Sequence, residues 1–155
     1  MISIVRKTLE VYLREKRIIT QTDLTSEELT SANMRDAIFV TLYYEGKVIA
    51  SVGRIQAQKS DTLAECIDIT LLTLKDPRFA ENLQTAELLP SVKVRVDRIS
   101  PTSRRMIKNI ADLNVRSEGL ILLSQTYGAM AVILPGMITG NPDPEQYFEI
   151  ACKKA

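Results

Sequence analysis

The chain has 155 residues, of which 45 % are hydrophobic and 25 % are charged, and these are the proportions of one ordinary globular domain. Its formal net charge of +1 excludes a strong overall attraction for nucleic acid or for a lipid surface. Charged residues interrupt the apolar ones throughout residues 1–17, so we expect no signal peptide and no membrane partner, and a cytoplasmic protein.

An amphipathic helix is predicted at the N-terminus, where apolar residues recur every three or four positions at Val5, Leu9, Tyr12 and Leu13. Residues from about 20 to 36 are polar and aperiodic, and Ser26 followed by two acids indicates one short helical turn in a long connection. A β-hairpin is predicted next, because two dense β-branched and aromatic runs, 37–44 and 48–53, flank a turn at Gly46.

A second helix is predicted to begin at Thr62 and to end before Pro77. Thr62 and Glu65 have the spacing of a capping box, in which each residue's side chain bonds the other's backbone amide. The apolar stripe of this helix turns Cys66 towards the core. Valines at 92, 94 and 96 alternate with charged residues, which indicates a third strand with one buried face.

The second half repeats this order of elements. Short apolar segments at 113–115, 120–123 and 129–134 alternate with turn residues and predict further strands and a second hairpin. Asp143, Pro144 and Gln146 have the pattern of a helix start. We expect this last helix to direct three residues inward: Tyr147, Phe148 and Ala151.

The fold class that follows is α+β. We predict a mixed β-sheet with helices packed on it, in a single domain that spans residues 1–155. Hairpin and helix occur twice, so we expect two sub-lobes of unequal size, at about 1–100 and 101–155.

Residue types that several reaction classes need are missing. The chain has no histidine, which is the commonest general base, the commonest neutral metal ligand and the usual member of serine and cysteine triads. Cys66 and Cys152 lie far apart with no C-x-x-C pair, which favours free thiols in a reducing compartment. Phosphate-binding glycine loops and a nucleophile elbow are also absent. We expect no metal and no cofactor, and whether the chain is an enzyme stays open.

Several motifs occur in an order that is characteristic of one family. They are Phe-Val-Thr-Leu at 39–42, the Gly46 turn, Gly53, Asp-Pro-Arg-Phe at 76–79, Glu-Leu-Leu-Pro at 87–90, Ile-Ser-Pro at 99–101, Glu-Gly-Leu-Ile-Leu at 118–122 and Ala-Cys-Lys-Lys-Ala at 151–155. In this order and spacing the chain resembles the AMMECR-type domain, which is protein A of the AmmeMemoRadiSam system in prokaryotes. The resemblance covers most of the chain and implies a mixed α+β fold with two unequal sub-lobes.

One motif departs from the family, which has Leu-Arg-Gly-Cys-Ile-Gly where this chain has Val-Ile-Ala-Ser-Val-Gly at residues 48–53. Ile49 and Ser51 therefore replace an arginine and a cysteine, and a serine without an adjacent base is a far poorer nucleophile than a cysteine. The departure implies a divergent or non-catalytic member. The resemblance implies a Memo-type protein and a radical S-adenosylmethionine enzyme as partners.

Six residues are candidates for contact with a ligand: Ser51, Gly53, Arg54, Asp76, Arg78 and Cys152. Ser51 lies near a strand end, just before Gly53 and Arg54, where backbone and hydroxyl are suited to meet a ligand; a small residue packed in a sheet is the alternative. Pro77 holds Asp76 and Arg78 on a rigid loop, where Arg78 suits a carboxylate or phosphate, and a salt bridge that locks the turn is the alternative. Cys152 matches a family position, or is a small core residue.

For two charged clusters we favour a solvent-exposed surface over a binding site. Asp61, Glu65 and Asp68 share one side of the second predicted helix and could hold Mg²⁺, but acids near a helix start more often form a solvated face. The densest basic region contains no aromatic residue that could stack on a base, so nucleic acid is not the favoured partner. Its members are Lys93, Arg95, Arg98, Arg104, Arg105 and Lys108.

Two main hypotheses follow. The first is an accessory or interaction module that works beside Memo-type and radical S-adenosylmethionine proteins. The second is a small-molecule enzyme with a pocket between the sub-lobes, near Ser51, Gly53, Arg78 and Cys152. A nucleic-acid-linked role through residues 93–108 is a third and weaker alternative, and the oligomeric state stays unknown.

Overall fold

The computed structural model describes residues 1–30, 34–82, 85–140 and 142–155. The chain forms two compact units, Met1–Arg104 (unit 1) and Arg105–Ala155 (unit 2). In each unit helices pack on antiparallel strands, so the predicted α+β class is confirmed. No helix of the described residues combines the length and the apolar character that are needed to cross a membrane.

Unit 1 contains a three-stranded antiparallel sheet with the order β2-β1-β3. Its strands are β1 (Ala37–Tyr44), β2 (Lys47–Gly53) and β3 (Lys93–Ile99). The predicted hairpin and third strand are therefore confirmed. The hairpin has a two-residue turn with positive φ at both positions, 49° at Glu45 and 78° at Gly46, which suits the right-handed twist of the strands.

The helices of unit 1 are α1 (Ile2–Glu15), α2 (Ser26–Thr30), α3 (Thr62–Thr73) and α4 (Pro77–Asn82). The predicted N-terminal helix is confirmed, and its apolar stripe buries Val5 and Leu9. Helices α1 and α3 pack on each other, and α3 packs on β1 and β2 while α1 packs on β3. The core between these helices and the sheet is apolar and includes Ile4, Val5, Leu9, Ile38, Val40, Leu42, Cys66 and Ile69.

Two predicted helix starts have different caps from those expected. Asp61, not Thr62, caps α3, since its carboxylate accepts the amide of Ala64 at 2.8 Å. The predicted Thr62–Glu65 box is therefore wrong. At α2 the reciprocal pair is Thr25 and Glu28, whose side chains each accept the other's amide, so the cap lies one residue before Ser26.

The predicted connection at about 20–36 contains α2 and a 3₁₀ helix at Gln21–Asp23, and its residues 31–33 lie outside the described part. A further 3₁₀ helix, Ala86–Ser91, precedes β3, and another at Pro101–Ser103 follows it. The backbone around these short helices positions α1 through Arg6, which donates to the carbonyl oxygen of Val92 at 2.7 Å.

Unit 2 contains the hairpin of β4 (Leu120–Ser124) and β5 (Ala129–Ile133), with α5 (Pro144–Lys154) packed on both strands. The predicted second hairpin and the Asp143–Gln146 helix start are confirmed. Tyr147 and Ala151 are buried as expected, but Phe148 is 43 % exposed, so its inward orientation was a wrong prediction. The reason is helical geometry, because Ala151 lies about one turn from Tyr147, whereas Phe148 is rotated about 100° from Tyr147 around the helix axis.

The predicted strand at 113–115 is also wrong. A 3₁₀ helix occupies Ile110–Asp112, and a turn follows it. Leu113 is buried in the core of unit 2, and the hydroxyl of Tyr147 donates to the carbonyl oxygen of Val115 at 3.2 Å. This segment is apolar because it packs under α5 and not because it pairs in a sheet.

Candidate functional site

Ser51 lies in β2 directly opposite Thr41 of β1, and the two hydroxyl oxygens are hydrogen-bonded at 3.2 Å. The amide of Ser51 points away from β1 and donates to Asp76 Oδ2 at 3.2 Å. Ser51 and Thr41 are therefore a non-hydrogen-bonded cross-strand pair, which is the arrangement that brings opposite side chains closest together. The hydroxyl and the amide of Ser51 are thus both hydrogen-bonded within unit 1.

Asp76 lies between Ser51 and Arg78 in this arrangement. Arg78 binds the carboxylate with two bonds, Nε to Oδ1 at 3.0 Å and Nη2 to Oδ2 at 2.7 Å, and its amide also donates to Oδ1 at 3.1 Å. Asp76 caps α4, because Pro77 is the first residue of that helix and Arg78 the second. The Arg78 guanidinium lowers the pKa of the Asp76 carboxyl below its ordinary range, so the pair stays ionised.

The structure thus brings three of the six predicted site residues together. Ser51, Asp76 and Arg78 form a chain of contacts at the outer edge of β2, to which Thr41 is added. Sequence reasoning missed Thr41, because a two-residue turn with regular pairing would place it opposite Ala50, and a bulge between Leu42 and Tyr43 shifts it by one residue to face Ser51. No acidic or basic side chain is hydrogen-bonded to the Ser51 hydroxyl in the described part of the chain.

Gly53 has a steric role in the sheet. It lies opposite Phe39, and a Cβ atom built on Gly53 would lie 2.1 Å from Phe39 Cγ. The phenyl ring therefore occupies the space that we expected a ligand to approach. Glycine is required here because the ring packs directly on the backbone.

Arg54 lies on the opposite face of the sheet from Ser51. Its Nη1 donates to Glu65 Oε1 at 2.9 Å, and its Nη2 lies 2.7 Å from Asp68 Oδ2 in a close charge contact. The other Glu65 oxygen accepts the amides of Gln58 and Lys59 at 2.8 and 2.9 Å. Burial alone would raise the pKa of the Glu65 carboxyl, but these bonds, led by Arg54, lower it below its ordinary value.

The sequence matches the AMMECR1 family over residues 2–155. The chain belongs to this family. The membership that the motif order predicted is confirmed, and the match includes α5 and the C-terminal Ala-Cys-Lys-Lys-Ala segment.

A solved structure shares the fold of this AMMECR1 domain. The crystal structure of an uncharacterised protein from Pyrococcus horikoshii superposes with a TM-score of 0.78, is 20 % identical in sequence, and is matched over 99 % of this chain and 76 % of its own. No curated protein matches the sequence significantly.

The two cysteines of the AMMECR1 domain have different environments. Cys152 lies on α5 in unit 2 and its side chain is exposed, whereas the other five predicted site residues lie in unit 1. The core-residue alternative for Cys152 is therefore wrong. Cys66 is completely buried in the core of unit 1, as its helical position predicted.

The three acids predicted as a possible Mg²⁺ group are each engaged by protein groups. Asp61 caps α3, Glu65 is bonded to Arg54, and Asp68 contacts Arg54 and Lys59. Among the described residues, no three side chains of metal-binding types come together. The role of Glu65 as the buried centre of this cluster was missed, because its place between α3 and the 54–59 segment depends on how the chain folds back.

Half of the predicted basic region is ion-paired. The pairs are Arg95 with Asp97 at 2.7 Å, Arg98 with Asp36 at 2.6 Å and Arg105 with Glu118 at 2.7 Å. Asp36 is buried, so Arg98 supplies its counter-charge. These arginines have structural roles within their own units.

Two depressions of the described surface lie in unit 1 away from Ser51. One, of about 140 Å³, lies between α1 and the 86–94 segment and is lined by Arg6, Leu9, Arg14, Leu89 and Val94 among others. The other, of about 320 Å³, lies beside the β1–β2 turn and is lined by Tyr43, Tyr44, Glu45, Gly46, Ser91 and Lys93. Neither is lined by a predicted site residue.

Proposed function

We propose that this AMMECR1 domain is an accessory interaction module that binds a protein partner, of the Memo type or the radical S-adenosylmethionine type, and that it does not catalyse a reaction through Ser51. The observation that carries the proposal is the double engagement of Ser51. Its hydroxyl is held by Thr41 and its amide by the ion-paired carboxylate of Asp76. This arrangement supports a structural use of the position at which the family has a cysteine.

The chemistry of the neighbours supports the same proposal. A serine becomes a nucleophile when a base accepts its proton, and the group bonded to the Ser51 hydroxyl is another neutral hydroxyl. The nearby carboxylate of Asp76 already receives two bonds from the Arg78 side chain. The low pKa of Asp76 makes it a weak proton acceptor, because a good general base has a pKa near the working pH.

The direct test is complex formation between purified proteins. The full chain is mixed with a Memo-type protein and, separately, with a radical S-adenosylmethionine protein from the same organism, and association is measured by sedimentation velocity. We expect a complex with one of them, with an affinity that Ser51→Ala leaves unchanged. If no complex forms with either protein, the named partners are wrong. If Ser51→Ala abolishes a reaction that the complex catalyses, the non-catalytic role of Ser51 is wrong.

A small-molecule role is the second candidate, and the exposure of Arg78 favours it. Its side chain is 49 % exposed while Asp76 fixes the guanidinium, and such a fixed fork suits a second carboxylate or a phosphate. Calorimetric titration with inorganic phosphate and with acetate tests this role. Binding that Arg78→Ala abolishes and that Arg17→Ala, an exposed arginine elsewhere in unit 1, leaves intact supports it; equal weak binding by both variants opposes it.

A further inference from the structure

The β4–β5 hairpin of unit 2 lies in an unusually uncharged part of the chain. Residues 119–142 contain no Asp, Glu, Lys or Arg. Three large apolar or aromatic side chains of the hairpin are nevertheless exposed: Leu123 by 62 %, Tyr127 by 85 % and Met130 by 51 %. Leu123 and Met130 are direct cross-strand partners on the same face. The hairpin therefore exposes apolar side chains and carries no charged side chain of its own.

The two strands differ in what their outer edges carry. Lys154 Nζ donates to the carbonyl oxygen of Val132 at 2.8 Å, so this carbonyl of β5 points away from β4. Val132 lies opposite Ile121. Because the Val132 carbonyl points away from β4, the two residues form a non-hydrogen-bonded pair. By the alternation of the ladder, the amides and carbonyls of Ile121 and Leu123 also point outward, at the free edge of β4.

These four backbone groups of β4 have no hydrogen-bond partner outside the hairpin among the described residues. At the outer edge of β2 in unit 1, Asp76 accepts a backbone amide. At the outer edge of β5, Lys154 donates to a backbone carbonyl. The sequence of β4, Leu-Ile-Leu-Leu-Ser, has no charge and no proline, which are the usual devices that keep an edge strand from pairing. The edge of β4 is therefore ready to accept another strand.

We propose that β4 pairs antiparallel with β4 of a second copy of this chain, across a twofold axis at Leu122. In this register Ile121 faces Leu123 of the second copy, and Leu123 faces its Ile121. All four outward groups of each copy are then satisfied, giving four interchain hydrogen bonds about the axis. The result is a four-stranded sheet with the order β5-β4-β4-β5.

The side chains are suited to the same register. Exposed Leu123 lies beside Ile121 of the other copy, which forms an apolar cross-strand pair on one face. Because β4 is uncharged, the twofold contact places no like charges opposite each other. In an isologous dimer the same surface of both copies forms the interface, and β4 can pair with itself in this way. The proposal is independent of the partner protein proposed above.

Sedimentation equilibrium of the full chain tests the association. We expect a reversible dimer with a Kd on the order of micromolar, because strand pairing buries less surface than a large obligate interface. Leu123→Lys should weaken the dimer at least about tenfold, since it places a lysine beside the axis on each copy. Met130→Lys is the matched control, because it adds the same charge to the same face one strand further from the axis, and it should weaken the dimer less.

Disulfide formation tests the register. In a Cys152→Ser background, Leu122→Cys places two thiols opposite each other in a non-hydrogen-bonded pair, and mild oxidation should give a covalent dimer quickly. Leu123→Cys, whose counterpart would be Ile121, should cross-link much more slowly. A monomer at all concentrations, a dimer that Leu123→Lys leaves intact, equal cross-linking of the two cysteine variants, or a monomer that pairs through β4 with a strand of a different protein would each overturn the proposal.

Discussion

Glu65 and Arg54 form an ion pair in which the glutamate side chain is 0 % exposed and Arg54 Nη1 lies 2.9 Å from its Oε1. The second carboxylate oxygen accepts two backbone amides, from Gln58 and Lys59. One carboxylate therefore fixes the end of β2, the loop after it and the first turns of α3 relative to one another.

Removal of this carboxylate should be strongly destabilising. We expect Glu65→Ala to lower the free energy of unfolding by about 3–5 kcal/mol, because it leaves a partly buried guanidinium and two amides without their acceptor. Urea denaturation followed by circular dichroism measures the change. Asp68→Ala is the control, since it removes a more exposed partner of the same arginine and should cost about 1 kcal/mol or less. Equal losses in the two variants would contradict the central role of Glu65.

A methyl group at position 53 should disturb the ring of Phe39. The Cβ of Gly53→Ala would lie 2.1 Å from Phe39 Cγ, so we expect a loss of about 1–3 kcal/mol in the free energy of unfolding. In a Phe39→Ala background the same change should cost less, and a double-mutant cycle measures the difference. Additive losses would show that the ring is not what requires glycine.

The two thiols should differ in reactivity. Burial raises the pKa of the Cys66 thiol to about 12, whereas Cys152 is exposed on α5. At about pH 8 roughly one Cys66 in ten thousand is then a thiolate, and the core also excludes the reagent. We expect iodoacetamide to modify the native protein once, at Cys152, and twice after unfolding, as counted by mass spectrometry. Native labelling of the Cys152→Ser variant would contradict the buried position of Cys66.

Stability should fall in acid partly through Glu28. The amide of Thr25, with help from Lys7, lowers the pKa of the Glu28 carboxyl from 4.5 to about 2. A carboxyl with a lower pKa in the folded state stabilises the fold fully above its unfolded pKa, and this contribution is lost as the pH falls from about 4.5 to about 2. Glu28→Gln should therefore be less stable at neutral pH and show a flatter decline over this range in urea titrations.

The control for this pH dependence is Glu27→Gln, which neutralises an exposed acid in the same short helix. Its stability should follow the pH dependence of the unaltered chain. If both variants flatten the decline equally, general charge repulsion rather than the Thr25 and Lys7 contacts accounts for the effect.

Local patterns predicted the elements of this fold well. The β-branched run before Gly46 and the Asp143–Gln146 spacing were sufficient for the first hairpin and for α5, because turn and cap chemistry is local. The cap of α3 was misplaced by one residue, since Asp61 and Thr62 are both good capping residues and Thr62 instead bonds the carbonyl oxygen of Met34. That contact joins residues far apart in sequence, and no local pattern contains it.

The candidate site was predicted only in part for the same reason. Asp76 and Arg78 are two residues apart, so their ion pair follows from the rigid Pro77 turn. Ser51 and Arg54 were grouped by their closeness in sequence, but Arg54 follows the end of β2 and contacts acids of α3, whereas Ser51 contacts Thr41 and Asp76. The contact between Ser51 and Asp76 spans 25 positions and required the tertiary structure.

The position of β1 at the centre of its sheet has a consequence for how unit 1 folds. One side of β1 pairs with β2, its immediate neighbour in the chain, and the other with β3, which follows only after residues 54–92. The hairpin can form rapidly, within about 1–10 μs in isolated examples, whereas the second pairing must first close a loop that contains α3 and α4. We therefore expect the arrival of β3, and not the formation of the hairpin, to set the folding rate of this unit.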